Sequence, residues 1–123
     1  MRRTKPYKKE FCIPLPEKNL YIRVGFDSIK GKITDFRVQL ELRCPDSLRI
    51  IRRYDTAHGK PHTDKYDLPD YKTGEYDKVF FSSSNLNLCM SNAINYLKEH
   101  YINIFNRYKR RHKNDLNKRN ECY

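Results

Sequence analysis

The chain has 123 residues, 37% of them apolar and 33% charged, with a formal net charge of +11. That length suits one domain with one modest core, and the composition is polar without reaching the range of disordered chains. No apolar run approaches the roughly 18–20 residues that span a bilayer, and Met1-Arg2-Arg3-Thr4-Lys5 leads into polar sequence, so neither a membrane span nor a secretory signal is expected.

In chain order, Phe11-Cys12-Ile13-Pro14-Leu15-Pro16 predicts an edge strand or extended arm, because proline cannot donate to a central ladder. Leu20, Ile22, Val24 and Phe26 alternate with Tyr21, Arg23, Gly25 and Asp27, the period of a strand with one buried face. A turn with Gly31 follows over 28–32. Then Thr34, Phe36, Val38, Leu40 and Leu42 alternate with Asp35, Arg37, Gln39, Glu41 and Arg43, which predicts the partner strand of a hairpin. Phe36, Val38, Leu40, Leu42 and Leu97 are expected in the core, with Arg37, Gln39 and Glu41 facing outward. Cys44-Pro45-Asp46-Ser47 reads as a turn. Leu48 to Tyr54 reads as a third strand in which Ile50 and Ile51 break strict alternation.

The polar stretch 55–76 contains Gly59, Pro61, Pro69 and Gly74 and is longer than a routine connection. Val79-Phe80-Phe81 reads as a fourth short strand. Ser82 to Asn85 offers N-cap residues for a helix over 85–110, whose stripe Cys89, Ala93, Leu97, Tyr101, Ile104 or Phe105, and Tyr108 steps by three or four. The expected fold is α+β: an antiparallel β-meander of about four strands packed against one long C-terminal helix. It forms a single domain, 1–123, with an ordered core over about 11–110.

The basic excess is concentrated at the ends. Residues 1–10 carry Arg2, Arg3, Lys5, Lys8 and Lys9 against Glu10, a net of +4. Residues 107–123 carry Arg107, Lys109, Arg110, Arg111, Lys113, Lys118 and Arg119 against Asp115 and Glu121, a net of +5. Basic arms of this kind contact nucleic acid by neutralising phosphates, or simply keep a protein soluble. Cys12, Cys44, Cys89 and Cys122 are widely spaced with no C-x-x-C pair, which points to a reducing, cytoplasmic setting.

Chemistry is concentrated in Arg52-Arg53-Tyr54-Asp55-Thr56-Ala57-His58-Gly59-Lys60-Pro61-His62-Thr63-Asp64. Two of the chain's four histidines lie within five residues here, beside basic side chains, carboxylates and a tyrosine. Metal-free RNA cleavage needs a base, an acid and cations for the developing phosphate charge. His58 and His62 suit the proton transfers. Arg53 or Lys60 suits the phosphate, Tyr54 a base stack or proton donation, and Asp55 the orienting of a histidine. A metal site on His58, His62 and Asp55 or Asp64 is a second reading, but Gly59 and Pro61 remove the helix that would face His-x-x-x-His together. A hydrogen-bonded structural turn is the third. Arg107 and His112 match the R-x4-H spacing of all-helical HEPN-type ribonucleases, yet the strand-rich first half does not suit that fold.

The run Arg53-Tyr54-Asp55-Thr56-Ala57-His58-Gly59-Lys60-Pro61-His62 resembles a family of small uncharacterised prokaryotic proteins with an R-[YW]-D-x-A-H-x-x-x-H motif between a β-meander and a C-terminal helix. It is also more distantly similar to TumE-like toxins, over about residues 19–108. That resemblance implies a prokaryotic, cytoplasmic protein that works with a partner such as an antitoxin.

The expected function is therefore a toxin-like RNA-directed protein, read as a metal-independent ribonuclease using Arg53, Tyr54, Asp55, His58 and His62, with no cofactor and no metal. Nucleic-acid contacts are expected from Arg2, Arg3, Lys5, Lys8, Lys9, Arg52, Lys60, Lys109, Arg110, Arg111 and Lys113. The alternatives are a non-catalytic nucleic-acid-binding protein that uses its basic tails, and a protein-interaction module.

Overall fold

The computed structural model describes residues 5–45, 47–56, 62–67 and 85–112. Among these described residues five strands, β1 (Lys9–Pro14), β2 (Leu20–Ile29), β3 (Lys32–Cys44), β4 (Ser47–Asp55) and β5 (His62–Lys65), form one sheet in the order β1-β2-β3-β4-β5. Every neighbouring pair is antiparallel. The helix α1 (Leu86–Arg111) follows. This is the α+β meander expected from the alternating segments. The expected strand at Val79-Phe80-Phe81 lies outside the described residues.

The β2–β3 hairpin is the longest, because Leu20 to Asp27 and Asp35 to Leu42 alternate with one apolar face; the ladder shifts at Asp27/Ser28, where Thr34 is an extra residue. Ile29 pairs with Lys32, so Lys30 and Gly31 alone make the turn, with φ of 51° and 79°. Two positive φ values in a two-residue loop match the right-handed twist of the flanking strands.

Leu20, Ile22 and Val24 of β2 and Phe36, Val38, Leu40 and Leu42 of β3 are buried against Cys89, Ala93, Leu97, Tyr101, Ile104, Phe105 and Tyr108 of α1. These helix residues recur every three or four positions, so they fall on one side of α1. Fully burying one such aliphatic side chain contributes about 1.5–3 kcal/mol. The helix starts where Asn85, in an extended conformation, accepts a hydrogen bond from the Leu88 amide at 3.2 Å. Its first turn is tied to the β2–β3 turn by Asn87, whose Oδ1 accepts from the Ile33 amide at 2.9 Å and whose Nδ2 donates to the Gly31 carbonyl at 3.0 Å. No helix among the described residues is long and apolar enough to cross a membrane.

One irregularity decides what faces what. Leu40 pairs with Arg52 but Glu41 pairs with Ile50, so Ile51 is an extra residue in β4. A bulge of this kind lets consecutive residues point to the same side. Ile51 joins the core, and Arg52 also turns toward the helix layer. The adjacent isoleucines in the sequence are the trace of this bulge.

The expectation that Gln39 and Glu41 face solvent is corrected. Both sit on the sheet face away from α1, yet they are 3% and 0% exposed. Their polar groups satisfy one another and their neighbours, as described below. The cysteines also depart from a uniformly reduced set. Cys12 is an exposed thiol and Cys89 a buried one, whereas Cys44 is disulfide-bonded.

Candidate functional site

The motif strand β4 presents different residues to the two sides of the sheet. Gln39 pairs with Arg53 and Arg37 with Asp55, so Arg53 and Asp55 share the face away from α1. Tyr54, opposite Val38, faces the core and is fully buried. Arg52 Nη1 donates to the Tyr54 hydroxyl at 3.3 Å on that side. The structure thus brings Arg53 and Asp55 together and separates them from Tyr54 and Arg52.

β5 completes the arrangement. The chain leaves β4 at Asp55 and returns at His62, and the ladder sets His62 directly opposite Asp55 and Asp64 directly opposite Arg53. The stretch 55–76, expected as a long loop, therefore contains a strand that folds the motif back on itself. His62 is described by its backbone position alone. His58 and Lys60 lie outside the described residues, as do Arg2, Arg3 and Lys113.

The face away from α1 carries a continuous polar network. Arg53 Nε donates to Gln39 Oε1 at 3.2 Å, and Gln39 Nε2 donates to Glu41 Oε1 at 2.7 Å. Arg43 Nε donates to Glu41 Oε2 at 2.7 Å, and Arg43 Nη2 to Cys12 Sγ at 2.9 Å. The Glu41 bond raises Arg43 above its ordinary pKa, against the opposing effect of burial. Arg37 Nη2 donates to Glu10 Oε1 at 2.6 Å. Its guanidinium lies 5.1 Å from the centre of the Tyr7 ring. Tyr7 lies across Gly25, where a Cβ would sit only 2.7 Å from the Tyr7 ring. Glycine is therefore what lets the N-terminal segment approach the sheet here. Arg53 and Asp55 are 7% and 8% exposed.

Thr56 fastens the end of β4. Its hydroxyl accepts from the Phe36 amide at 3.0 Å and bonds the Asp35 carboxylate, while its amide donates to the Phe36 carbonyl at 3.2 Å. This motif residue therefore fixes where the chain departs toward His58.

On the helix side, Asp67 follows β5 and receives two arginines. Arg52 donates from Nε to Oδ1 at 3.1 Å and from Nη2 to Oδ2 at 2.6 Å. Arg107 of α1 donates to Oδ2 from Nε at 3.2 Å and from Nη2 at 3.1 Å. Burial alone would lower the pKa of Arg52, but Tyr54 and Asp67 outweigh it and hold the guanidinium above its ordinary value. His112 Nε2 lies 3.1 Å from the Tyr66 carbonyl oxygen, which accepts, and its ring stacks on Tyr108. Arg107 and His112 thus both serve the turn after β5. Sequence reasoning missed Asp67 as the partner of Arg52 and Gln39 as the partner of Arg53, since nothing local marks a partner 15 or 14 residues away.

A cleft of about 560 Å³ lies elsewhere, lined by Lys32, Ile33, Asn85, Leu86 and Asn87. It holds no motif residue. Among the described residues, no group of three or more His, Cys, Asp or Glu side chains is placed to hold a metal ion.

A family model described as a domain of unknown function, DUF7718, matches residues 5–114, and the chain belongs to that family. No curated protein and no solved structure matches.

Proposed function

We propose that this DUF7718 protein is a toxin-like, RNA-directed protein, and that it cleaves RNA at the Arg53–Asp55 face. The observation that carries this reading is the β4–β5 register, which sets His62 opposite Asp55 and diagonal to Arg53, with Arg37 on the far side of Asp55. A histidine, a carboxylate and guanidinium groups within two neighbouring strand pairs supply the groups that transesterification of RNA requires.

In that reaction one histidine, His58 or His62, takes the proton of a ribose 2′-hydroxyl. The oxygen attacks the adjacent phosphorus, and the bond to the 5′-oxygen breaks. The second histidine returns a proton to the leaving 5′-oxygen. Asp55 orients the nearer imidazole. Arg53 and Arg37 counter the charge that develops on the phosphate. Tyr54 and Arg52, on the other side of the sheet, hold the strand in place.

The burial of Arg53 and Asp55 favours a second reading, a non-catalytic nucleic-acid-binding protein in which the motif is structural and the basic ends make the contacts. The deciding experiment is an RNA cleavage assay in the presence of chelator, with wild type, His58→Ala and His62→Ala, each checked by circular dichroism. Loss of cleavage in both folded variants supports catalysis. Full activity in the variants, or none in the wild type, removes it.

A further inference from the structure

We propose that the helix-side edge formed by β4, β5 and the last turns of α1 binds the phosphodiester backbone of the RNA, through Arg107, Arg111, Lys65 and Arg49. This rests on the RNA-directed reading above and adds the path the strand takes. The Arg53–Asp55 face and this edge lie on opposite sides of the same two strands, β4 and β5.

Positive charge converges on this edge from three elements. Arg49 of β4 sits opposite the core residue Leu42 and donates from Nη1 to the Tyr108 hydroxyl at 3.1 Å, which puts it on the helix side. Lys65 is opposite Arg52 and shares its face. Arg107 and Arg111 are one helical turn apart, so they lie along one side of α1. Arg110 and Arg111 are exposed.

Asp67 does not neutralise this group. Arg52 already engages both of its oxygens, in a pair whose side chains are 3% and 0% exposed. Arg107 reaches the same Oδ2 from outside, with its side chain 34% exposed. Two guanidinium groups on one carboxylate leave a net positive charge. Because Nε and Nη2 of Arg107 both face Asp67, Nη1 is left outside the pair.

Basic residues in a last turn also complement the helix dipole, which accounts for Lys109, Arg110 and Arg111 taken alone. It does not account for Arg49 and Lys65, which come from strands. Arg107 and Arg111 along α1, with Arg49 held against Tyr108, form a basic row suited to an anionic ligand. A phosphodiester backbone offers a row of such anions at a spacing that successive arginines can follow.

The test is binding of a labelled single-stranded RNA oligonucleotide by fluorescence anisotropy, from about 50 to about 200 mM salt. Wild type is compared with Arg111→Gln, Lys65→Gln and Arg107→Gln. Each variant should bind several-fold more weakly, and its salt slope should fall by about 0.7 for each phosphate no longer neutralised. Arg111 lies outside the Asp67 cluster, so the Arg111→Gln result stands even where Arg107→Gln loosens the fold. Unchanged affinity and slope in both Arg111→Gln and Lys65→Gln overturns the proposal, as does a wild type that binds no RNA. RNA bound but never cleaved, with the variants weakened, keeps this surface and removes the ribonuclease reading.

Discussion

Arg52 and Asp67 meet fork to fork, 15 residues apart in sequence, at 3.1 and 2.6 Å and with almost no solvent access. The pair fastens the turn after β5 to the centre of β4. Removing one partner strands a buried charge, so Asp67→Ala should destabilise the protein by about 3–5 kcal/mol. Replacing both, as in Arg52→Met with Asp67→Leu, should recover most of that loss. Urea unfolding midpoints of the three proteins check this. A double variant as unstable as the single one would show that the charges themselves hold the turn.

Leu40 is fully buried between β2, β4 and the helix layer. Leu40→Ala should cost about 2–5 kcal/mol, through the transfer energy of the deleted atoms and the cavity left behind. The measurement is a shift in denaturation midpoint at constant slope. A change below about half a kcal/mol would contradict its core placement.

Gly25 and Tyr7 form a steric pair. Gly25→Ala places a methyl 2.7 Å from the Tyr7 ring and 3.0 Å from Arg37 Nη2. It should destabilise the protein, and less so when Tyr7 is already alanine. The coupling energy of that double-mutant cycle should be about 0.5–3 kcal/mol. Strict additivity would mean that the N-terminal segment does not lie on the sheet in solution.

Thr56→Val keeps the side-chain shape and removes the hydroxyl that the Phe36 amide and Asp35 use. The buried amide loses its partner, and stability should fall by about 1–3 kcal/mol. Hydrogen exchange at the Phe36 amide should accelerate in the same variant. Unchanged protection there would count against this hydrogen bond.

β2, β3 and α1 are legible in the sequence because each packs one apolar face against a single layer, which writes a period of two or of three to four into the residues. β5 is not, since His62-Thr63-Asp64-Lys65 has no apolar alternation and owes its place to pairing with β4 and to Asp67. Adjacent Ile50 and Ile51 hinted at a broken alternation, but only the ladder shows that Ile51 is the extra residue. That Arg53 and Asp55 share a face followed from strand period alone. That Glu41 is buried did not, because its partners Gln39 and Arg43 read as ordinary exposed positions of an amphipathic strand.

The bulge at Ile51 acts as a phase shifter for the motif. Counting by twos from Arg49, a regular strand would turn Arg53 and Asp55 into the apolar layer and Tyr54 out of it. One additional residue inverts the whole segment at once. A deletion of Ile51 should leave Ile50 opposite Glu41 and Arg52 opposite Leu40 in a regular ladder, so Arg53, Tyr54 and Asp55 keep their faces and the cost is that of one buried side chain. Family members whose fourth strand is one residue shorter should lack the bulge and carry the motif in the same sense, with polar residues at the positions of Arg53 and Asp55.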